Sequence, residues 1–477
     1  MIALTIFKSV PMTYTTITTE HIAYFTNIVS VQNIILNEEQ KYPYGKDHTE
    51  DLHYMPACVL TPTTTQQVSL ILGYCNTHLI PVTPRGAGTG LSGGALPIMG
   101  GVVLSLHKMN KILAIDEDNL QATLQPGVIN YDLQQAVKAV GLFYPPDPAS
   151  WGSCMMGGNV AHASGGPRAV KYGTTRDYIL NLEIVLPNGD IINTGANTLK
   201  YSTGYNLTHL IIGSEGTLAV VTQIVVKLIP HNPKNVLMLV PFASATDACK
   251  AVTSIFKAGI IPSACEFMER DALTLVAQYD PTLHVALTPE TQAHLLIELD
   301  GHNMELLQQQ AEQVVEAIQA HAPIDVLYAD TEQQKELLWK ARRKIGEAVK
   351  HQCAYKEEDT VVPRAAMPEL LQGVKMLGAK YGFKSVCYGH AGDGNLHVNI
   401  LKDTLTNDQW TNDIPKAIRQ LFELCKQLNG TISGEHGIGV VQKPYMNVMM
   451  TPSHFNLFTG IKATFDPNNI LNPSKIF

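Results

Sequence analysis

A chain of 477 residues, 45% of them hydrophobic and 16% charged, has the composition of a compact globular protein and the length of two or three domains. Its formal net charge of −8 excludes a nucleic-acid binder, because no basic stripe is present to neutralise phosphates. No apolar run reaches the ~18 residues of a membrane helix, and eight cysteines without a CxxC pair exclude an iron–sulfur or structural zinc module and point to reduced thiols in a cytoplasmic compartment.

In chain order, residues 1–50 read as an N-terminal helical lead-in. Their start, MIALTIFKSVPMTYTTITTE, lacks the basic opening and clean cleavage site of a secretory leader, and Met12 is a second candidate start. Near Pro56 the texture changes. TTTQQVSLILGYCNTHLIPVTPRGAGTGLSGG predicts a helix, a strand and a glycine-rich loop. Val68, Leu72 and Cys75 share one helix face, with threonines available to cap it. Strands are expected at 102–106, 112–116 and 121–128, then a helix over 131–140. NLEIVLPNGDII is a hairpin, since Asn188-Gly189 has the φ > 0 preference of a tight turn. Residues 218–230 close a domain running from 51 to 230. Beyond Pro230 the rhythm becomes strand, helix, strand, the signature of a second α+β domain over 231–477. Its helix over 305–321 carries the apolar stripe Leu307, Ala311, Val314, Val315 and Ile318.

Three stretches of the first domain are rich in glycine. PRGAGTGLSGG, from Pro84, brings backbone N–H groups within reach of a phosphate. It is not a dinucleotide fingerprint, because Leu91 stands where the third glycine of GxGxxG belongs, and it lacks the GK[ST] of a Walker loop. MGGNVAHASGGPRAVKYGTTRD (156–177) and GSEGTLAVVT (213–222) are the other two. Long loops in compact domains are commonly functional, and three in one domain suit a ligand longer than a single nucleotide.

The second domain holds CYGHAGDGNLHVNI (387–400) and GTISGEHGIG (430–439). On a flat strand His390 and His397 point to opposite faces. They reach one ligand only if the chain reverses at AGDGN, where Gly392 and Gly394 tolerate φ > 0 and Asp393 and Asn395 favour turns. Asn399 shares the face of His397. Two imidazoles, the Glu435 carboxylate and the neighbouring His436 make a metal-plus-base set. The same residues also suit two satisfied histidines in a hairpin and a plain polar loop.

Together these segments resemble the flavoproteins of the vanillyl-alcohol-oxidase type, in the branch of D-lactate dehydrogenase, the glycolate oxidase flavin subunit and D-2-hydroxyglutarate dehydrogenase. The resemblance runs from about Pro56 to the terminal FDPNNILNPSKIF. It implies an α+β fold: a two-part FAD-binding domain, an α+β substrate (cap) domain, and a C-terminal segment returning to the flavin. The resemblance assigns FAD to Pro84, Arg85, Gly86, Ala87, Gly88, Thr89, Gly90, Leu91 and Ser92, to Gly157, Gly158 and Asn159, and to Gly213, Glu215 and Gly216. Some relatives attach FAD through a histidine in the first loop; Thr89 and its neighbours offer none, so the flavin is expected to be noncovalent. The resemblance also makes His390, His397 and Glu435 ligands of a divalent metal, zinc first, with manganese or iron as alternatives, and His436 the catalytic base. LWKARRKIGEAVKHQCAYKEEDTVVPR (338–364) resembles the family's substrate helix. There Arg342 grips the substrate carboxylate with its forked guanidinium, and Lys356 and Asn399 contact substrate.

The implied activity is FAD-dependent oxidation of a D-2-hydroxy acid to the 2-keto acid. Gly346 offers no hydroxyl to a second carboxylate, which favours D-lactate or glycolate over D-2-hydroxyglutarate. With no cluster motif in the chain, electrons must leave to an external acceptor: a quinone, a cytochrome or an iron–sulfur subunit. Peripheral contact with the inner face of a membrane is compatible with this. Two other readings stay open. A non-redox metallohydrolase would use the same His/His/Glu set with a metal-bound water, but it leaves the glycine loops unexplained. A noncatalytic flavin subunit of a larger complex is opposed by the joint presence of Arg342, Glu435 and His436.

Overall fold

The computed structural model describes residues 13–49, 51–283, 285 and 287–477; the first twelve residues of the lead-in, with both candidate starts, lie outside them. The rest of the lead-in is more than helical. After the helix Thr19–Val29, capped by Thr18, the strand Ile34–Ile35 pairs with Cys58–Leu60 and so joins the first sheet. That sheet runs Ile34–Ile35, Cys58–Leu60, Val102–Ser105, Val82–Arg85, its last three strands parallel. The helix Thr65–Thr77 buries Val68, Ile71, Leu72 and Cys75 in the core beside it.

A second, five-stranded antiparallel sheet is ordered Ile112–Asp116, Gln121–Leu124, Val220–Lys227, Ile179–Val185, Ile191–Asn193. The Asn188-Gly189 turn is formed as expected, with Gly189 at φ 93°. The chain's end returns to the first sheet: Val82 N–H donates to Ile470 O and Asn472 N–H to Val82 O. The buried Lys475 ammonium donates to Gly94 O and Leu96 O at the end of the first glycine loop.

The third sheet is antiparallel, ordered Leu327–Tyr328, Lys234–Phe242, Ala293–Gly301, Ala264–Glu269, Lys384–Gly389, Asn395–Leu401, Tyr355–Val361. Helices cover both faces, so its strands are apolar on both sides. Cys265, Phe267, Cys387, Val398 and Ile400 enter one core, with the helices Ala245–Lys257, Met304–Ile318, Met367–Tyr381 and Ile414–Gln427. Ala264, Met268, Val386 and Tyr388 enter the other, with Arg270–Tyr279 and Ile345–Gln352. Among the described residues no helix is long and apolar enough to cross a membrane.

The segment 338–364 differs from its reading as one helix. It breaks at Lys344 between the helices Glu332–Arg343 and Ile345–Gln352, then becomes the strand Tyr355–Val361. The segment pairs with the histidine strand along Tyr355–Val361, ending in the β-favouring Thr360 and Val361, and that pairing overrides helix continuation.

His294 is a stability liability in this sheet. It is 1% exposed, and neither ring nitrogen has a hydrogen-bond partner. Burial, helped by Arg270, lowers its pKa to about 4. The folded state therefore keeps this ring neutral while the unfolded state protonates it below pH ~6.5, so stability is full above that pH and falls as pH drops toward 4. Between pH 7 and pH 5 this one group costs about 2 kcal/mol. His294→Leu is expected to lose that much less stability over the same range in urea titrations; parallel curves for the two proteins would contradict this.

Candidate active site

The three glycine loops and the site face of the third sheet enclose one cavity of about 770 Å³, in the range of small-molecule and cofactor sites. Its walls include Pro84 to Leu91, Gly157 to Asn159, and Ser214 to Gly216. Gly158 faces open space, so its missing side chain widens the cavity. Gly157 is glycine for packing, since a Cβ there would stand 2.6 Å from Pro126 Cβ. Arg85 is also in the wall, and its guanidinium donates to Pro43 O and Ala95 O. The first loop carries no histidine, yet the fold sets His162 of the second loop against Gly90 and Gly94, its Nδ1 buried and unpartnered.

Ser92 and Gly213 are not part of the cavity wall. Ser92 ties the loop to the Glu435–His436 segment: its hydroxyl donates to His436 O at 2.9 Å, and its carbonyl accepts from Val440 and Val441. Glu215 lines the cavity and also holds that segment, accepting the N–H of Ile438 (2.7 Å) and Gly439 (2.8 Å) on its two oxygens.

The histidine hairpin reverses as its glycines suggest. The strands Lys384–Gly389 and Asn395–Leu401 pair with Tyr388 opposite His397. Gly394 takes φ 83°, but Gly392 does not need a positive φ; it is glycine because a Cβ would stand 2.5 Å from Val170 Cγ2. The reversal brings His390 beside His397, ring centroids 5.4 Å apart. Glu435 Oε1 lies 3.2 Å from His390 Nε2 and 3.6 Å from His397 Nε2. One ligand atom from each of the three lies within 4.8 Å of the others. Two imidazoles and a carboxylate so arranged, with room beside them, suit an open zinc-type site. His436 stacks on His397 with centroids 5.1 Å apart and also lines the cavity.

A carboxylate absent from the sequence reading holds this arrangement. Asp359, 1% exposed, accepts the N–H groups of Gly434 (2.7 Å), Glu435 (2.8 Å) and His436 (2.9 Å) on one oxygen. Its other oxygen accepts from Asn395 Nδ2 at 2.7 Å. Asp359 sits opposite His397 in the sheet, and Glu357, on the same face, lines the cavity. Glu357, His397 and His436 form a second close group of ligand-type atoms. Alternation along YKEEDTVV was the available signal: the two carboxylates fall at i and i+2 of a strand.

The electrostatics follow from burial against pairing. Burial disfavours charge on His390, but the Glu266 and Glu435 carboxylates on either side hold its pKa well above the ordinary value. Burial also works against the Glu435 carboxylate, yet His390, with His397 and His436, keeps its pKa far below normal. His397 is pushed down to about 3 by burial and by His436, which leaves a neutral imidazole fit for ligation. Against the cost of burial, Asp359 and Glu357 raise the pKa of His436 and make it a stronger base.

Arg342, 5% exposed, lies in the last turn of its helix in the cavity wall, with its guanidinium 5.0 Å from the Tyr388 ring and its Nε without a hydrogen-bond partner. Lys356 is not at the site. Tyr355 and Glu357 face the cavity, so Lys356 faces the other side of the sheet, where its ammonium lies 5.4 Å from the Trp410 ring. Asn399 is on the site's face, paired with Glu357 and Val386, but fully buried behind the cavity wall near the Tyr388 hydroxyl.

Residues 56–195 match the FAD binding domain family, and residues 231–476 match the family of FAD linked oxidases, C-terminal domain. The chain is 40% identical to glycolate oxidase subunit GlcD of Bacillus subtilis (strain 168), over 91% of this chain and 92% of that one. It is 38% identical to D-lactate dehydrogenase of Anaerostipes hadrus, over 97% and 98%. Its fold superposes on p-cresol methylhydroxylase with a TM-score of 0.74 at 19% identity, covering 95% of each chain. The protein is thus an FAD-linked oxidoreductase of the vanillyl-alcohol-oxidase type. Within that class the chain belongs to the branch of the D-lactate dehydrogenases and glycolate oxidase flavin subunits. The glycine-lined cavity fits the cofactor that family binds.

Proposed function

We propose that the protein oxidises a small D-2-hydroxy acid, D-lactate or glycolate, to the 2-keto acid, using noncovalent FAD and a divalent ion held by His390, His397 and Glu435. The observation that carries this reading is the convergence of Arg342, the His/His/Glu cluster and His436 on the cavity of the flavin loops. When bound, FAD supplies a two-electron acceptor for the α-hydrogen and the ion supplies a Lewis acid for the α-hydroxyl. Arg342 binds the substrate carboxylate and orients the α-carbon. His436 takes the hydroxyl proton, and Asp359 and Glu357 stabilise the imidazolium that results. Buried walls exclude bulk water from the cluster. Electrons then pass to an external acceptor: a quinone, a cytochrome or an iron–sulfur subunit.

Gly346 lines the cavity without a side chain to meet a second carboxylate, which supports a monocarboxylate. Arg343, in the same wall 5.2 Å from the Trp151 ring, favours a second reading in which a distal carboxylate is bound, as in D-2-hydroxyglutarate. Anaerobic flavin bleaching separates them. D-lactate or glycolate is expected to bleach the flavin, L-lactate to leave it oxidised, and D-2-hydroxyglutarate to react more slowly. Acid precipitation of the same preparation is expected to release FAD into solution. Faster bleaching by the dicarboxylate would establish the second reading. No bleaching by any 2-hydroxy acid would end both, and yellow precipitate would show a covalent flavin.

A further inference from the structure

The strand Ala264–Glu269 is buried along its whole length and reads ACEFME. In its middle Glu266, 0% exposed, points to the site face. A carboxylate removed from water must be paired and hydrogen-bonded. Both of its oxygens lie 2.9 Å from His390 Nδ1, and Oε2 lies 2.6 Å from Arg342 Nη2. Its partners are therefore a member of the His/His/Glu cluster and the guanidinium in the cavity wall. A merely structural ion pair has no need to join those two groups.

We propose that Glu266 is a positioning residue that couples the substrate's carboxylate anchor to the metal site. This rests on the reading of His390 as a metal ligand and Arg342 as the anchor. Because Glu266 accepts from Nδ1–H, Nε2 is the nitrogen left to give up its proton and ligate, on the Glu435 side where a cation would sit. A carboxylate behind a ligating histidine sets its tautomer and ring orientation and raises its basicity. The same carboxylate neutralises Arg342 and holds its guanidinium against the Tyr388 ring. Two cations, one on the metal side and one on the anchor side, thus share a single counter-anion.

The test uses the FAD-loaded full chain, with zinc as the probe, titrated in competition with a chromophoric chelator. Glu266→Gln keeps the shape and removes the charge. Its zinc dissociation constant is expected to rise about 10–100-fold with FAD occupancy unchanged. At saturating zinc, kcat for D-lactate is expected to fall by roughly tenfold or more, while KM does not rise, because the amide oxygen of the glutamine still holds Arg342 against Tyr388 and the competing negative charge is gone. A packing defect would lower FAD occupancy and raise KM instead. Should the unpaired Arg342 prevent Glu266→Gln from folding, the pair Glu266→Gln/Arg342→Met removes both charges. Its zinc affinity, compared with Arg342→Met alone, is expected to show the same loss. Zinc affinity within about threefold of the parent at full FAD occupancy would overturn the role of Glu266. A wild-type protein that binds no zinc, manganese or iron in the same titration would overturn the metal reading and the inference with it.

Discussion

Arg342→Met is expected to lower kcat/KM for the 2-hydroxy acid by about 10²–10³, equal to about 3–4 kcal/mol of transition-state stabilisation. Methionine keeps the apolar stem of the side chain and removes the fork that meets both carboxylate oxygens. FAD occupancy should not change, because Arg342 belongs to the cap helix Glu332–Arg343 and not to the flavin loops. Stability should fall as well, since Glu266 loses one of its two buried partners. Steady-state kinetics alongside the flavin absorbance ratio measure both. Wild-type kinetics in this variant would remove Arg342 from the substrate site.

Two histidine variants are expected to fail in different ways. His397→Ala removes one of three ligand atoms, so it should lose bound metal and flavin reduction together and keep FAD. His436→Ala leaves the His390/His397/Glu435 group intact. It should keep both metal and FAD and reduce its flavin about 10²–10⁴-fold more slowly, the usual worth of a general base. Elemental analysis with stopped-flow absorbance separates the two patterns. Metal loss in His436→Ala instead would assign that histidine to the ligand set with Glu357 and His397, the second close group in the site.

The residues legible in the sequence were those with local chemical punctuation. His390 and His397 announced themselves because a glycine-rich turn lies between them, and Glu435 and His436 because a charged pair among glycines fits neither a plain helix nor a strand. The flavin loops were legible for the same reason. Glu266 and Asp359 were not. Glu266 is a lone carboxylate in an apolar strand, and its partners His390 and Arg342 are far along the chain; only sheet pairing with Tyr388 and Gly389 brings it there. Strand alternation in YKEEDTVV places Asp359 on the face of Glu357, but its role runs through three backbone N–H groups of a distant loop, which that alternation does not record. Lys356 was placed at the substrate by the resemblance of 338–364 to the family's substrate helix, and the local fold excludes it. On a continuous helix it would lie about four turns beyond Arg342, on the same face. The chain becomes a strand at Tyr355, where alternate residues face opposite ways, and the parity excludes Lys356 and admits Glu357. Gly392 was expected to supply a left-handed turn and supplies clearance for Val170 instead, a contact between the domains that local sequence does not encode.

The most direct test of the central claim is anaerobic flavin reduction by D-lactate before and after metal removal. The FAD-loaded protein is dialysed against a strong chelator, its metal content measured, and its bleaching followed by stopped flow. The rate is expected to fall by at least roughly 10²-fold with FAD still bound, because the hydroxyl loses its Lewis acid while Arg342 and His436 stay in place. Adding back zinc should restore it. Bleaching at the full rate in protein shown to be free of metal would contradict the account, and His390, His397 and Glu435 would then be no more than a buried polar cluster beside the flavin.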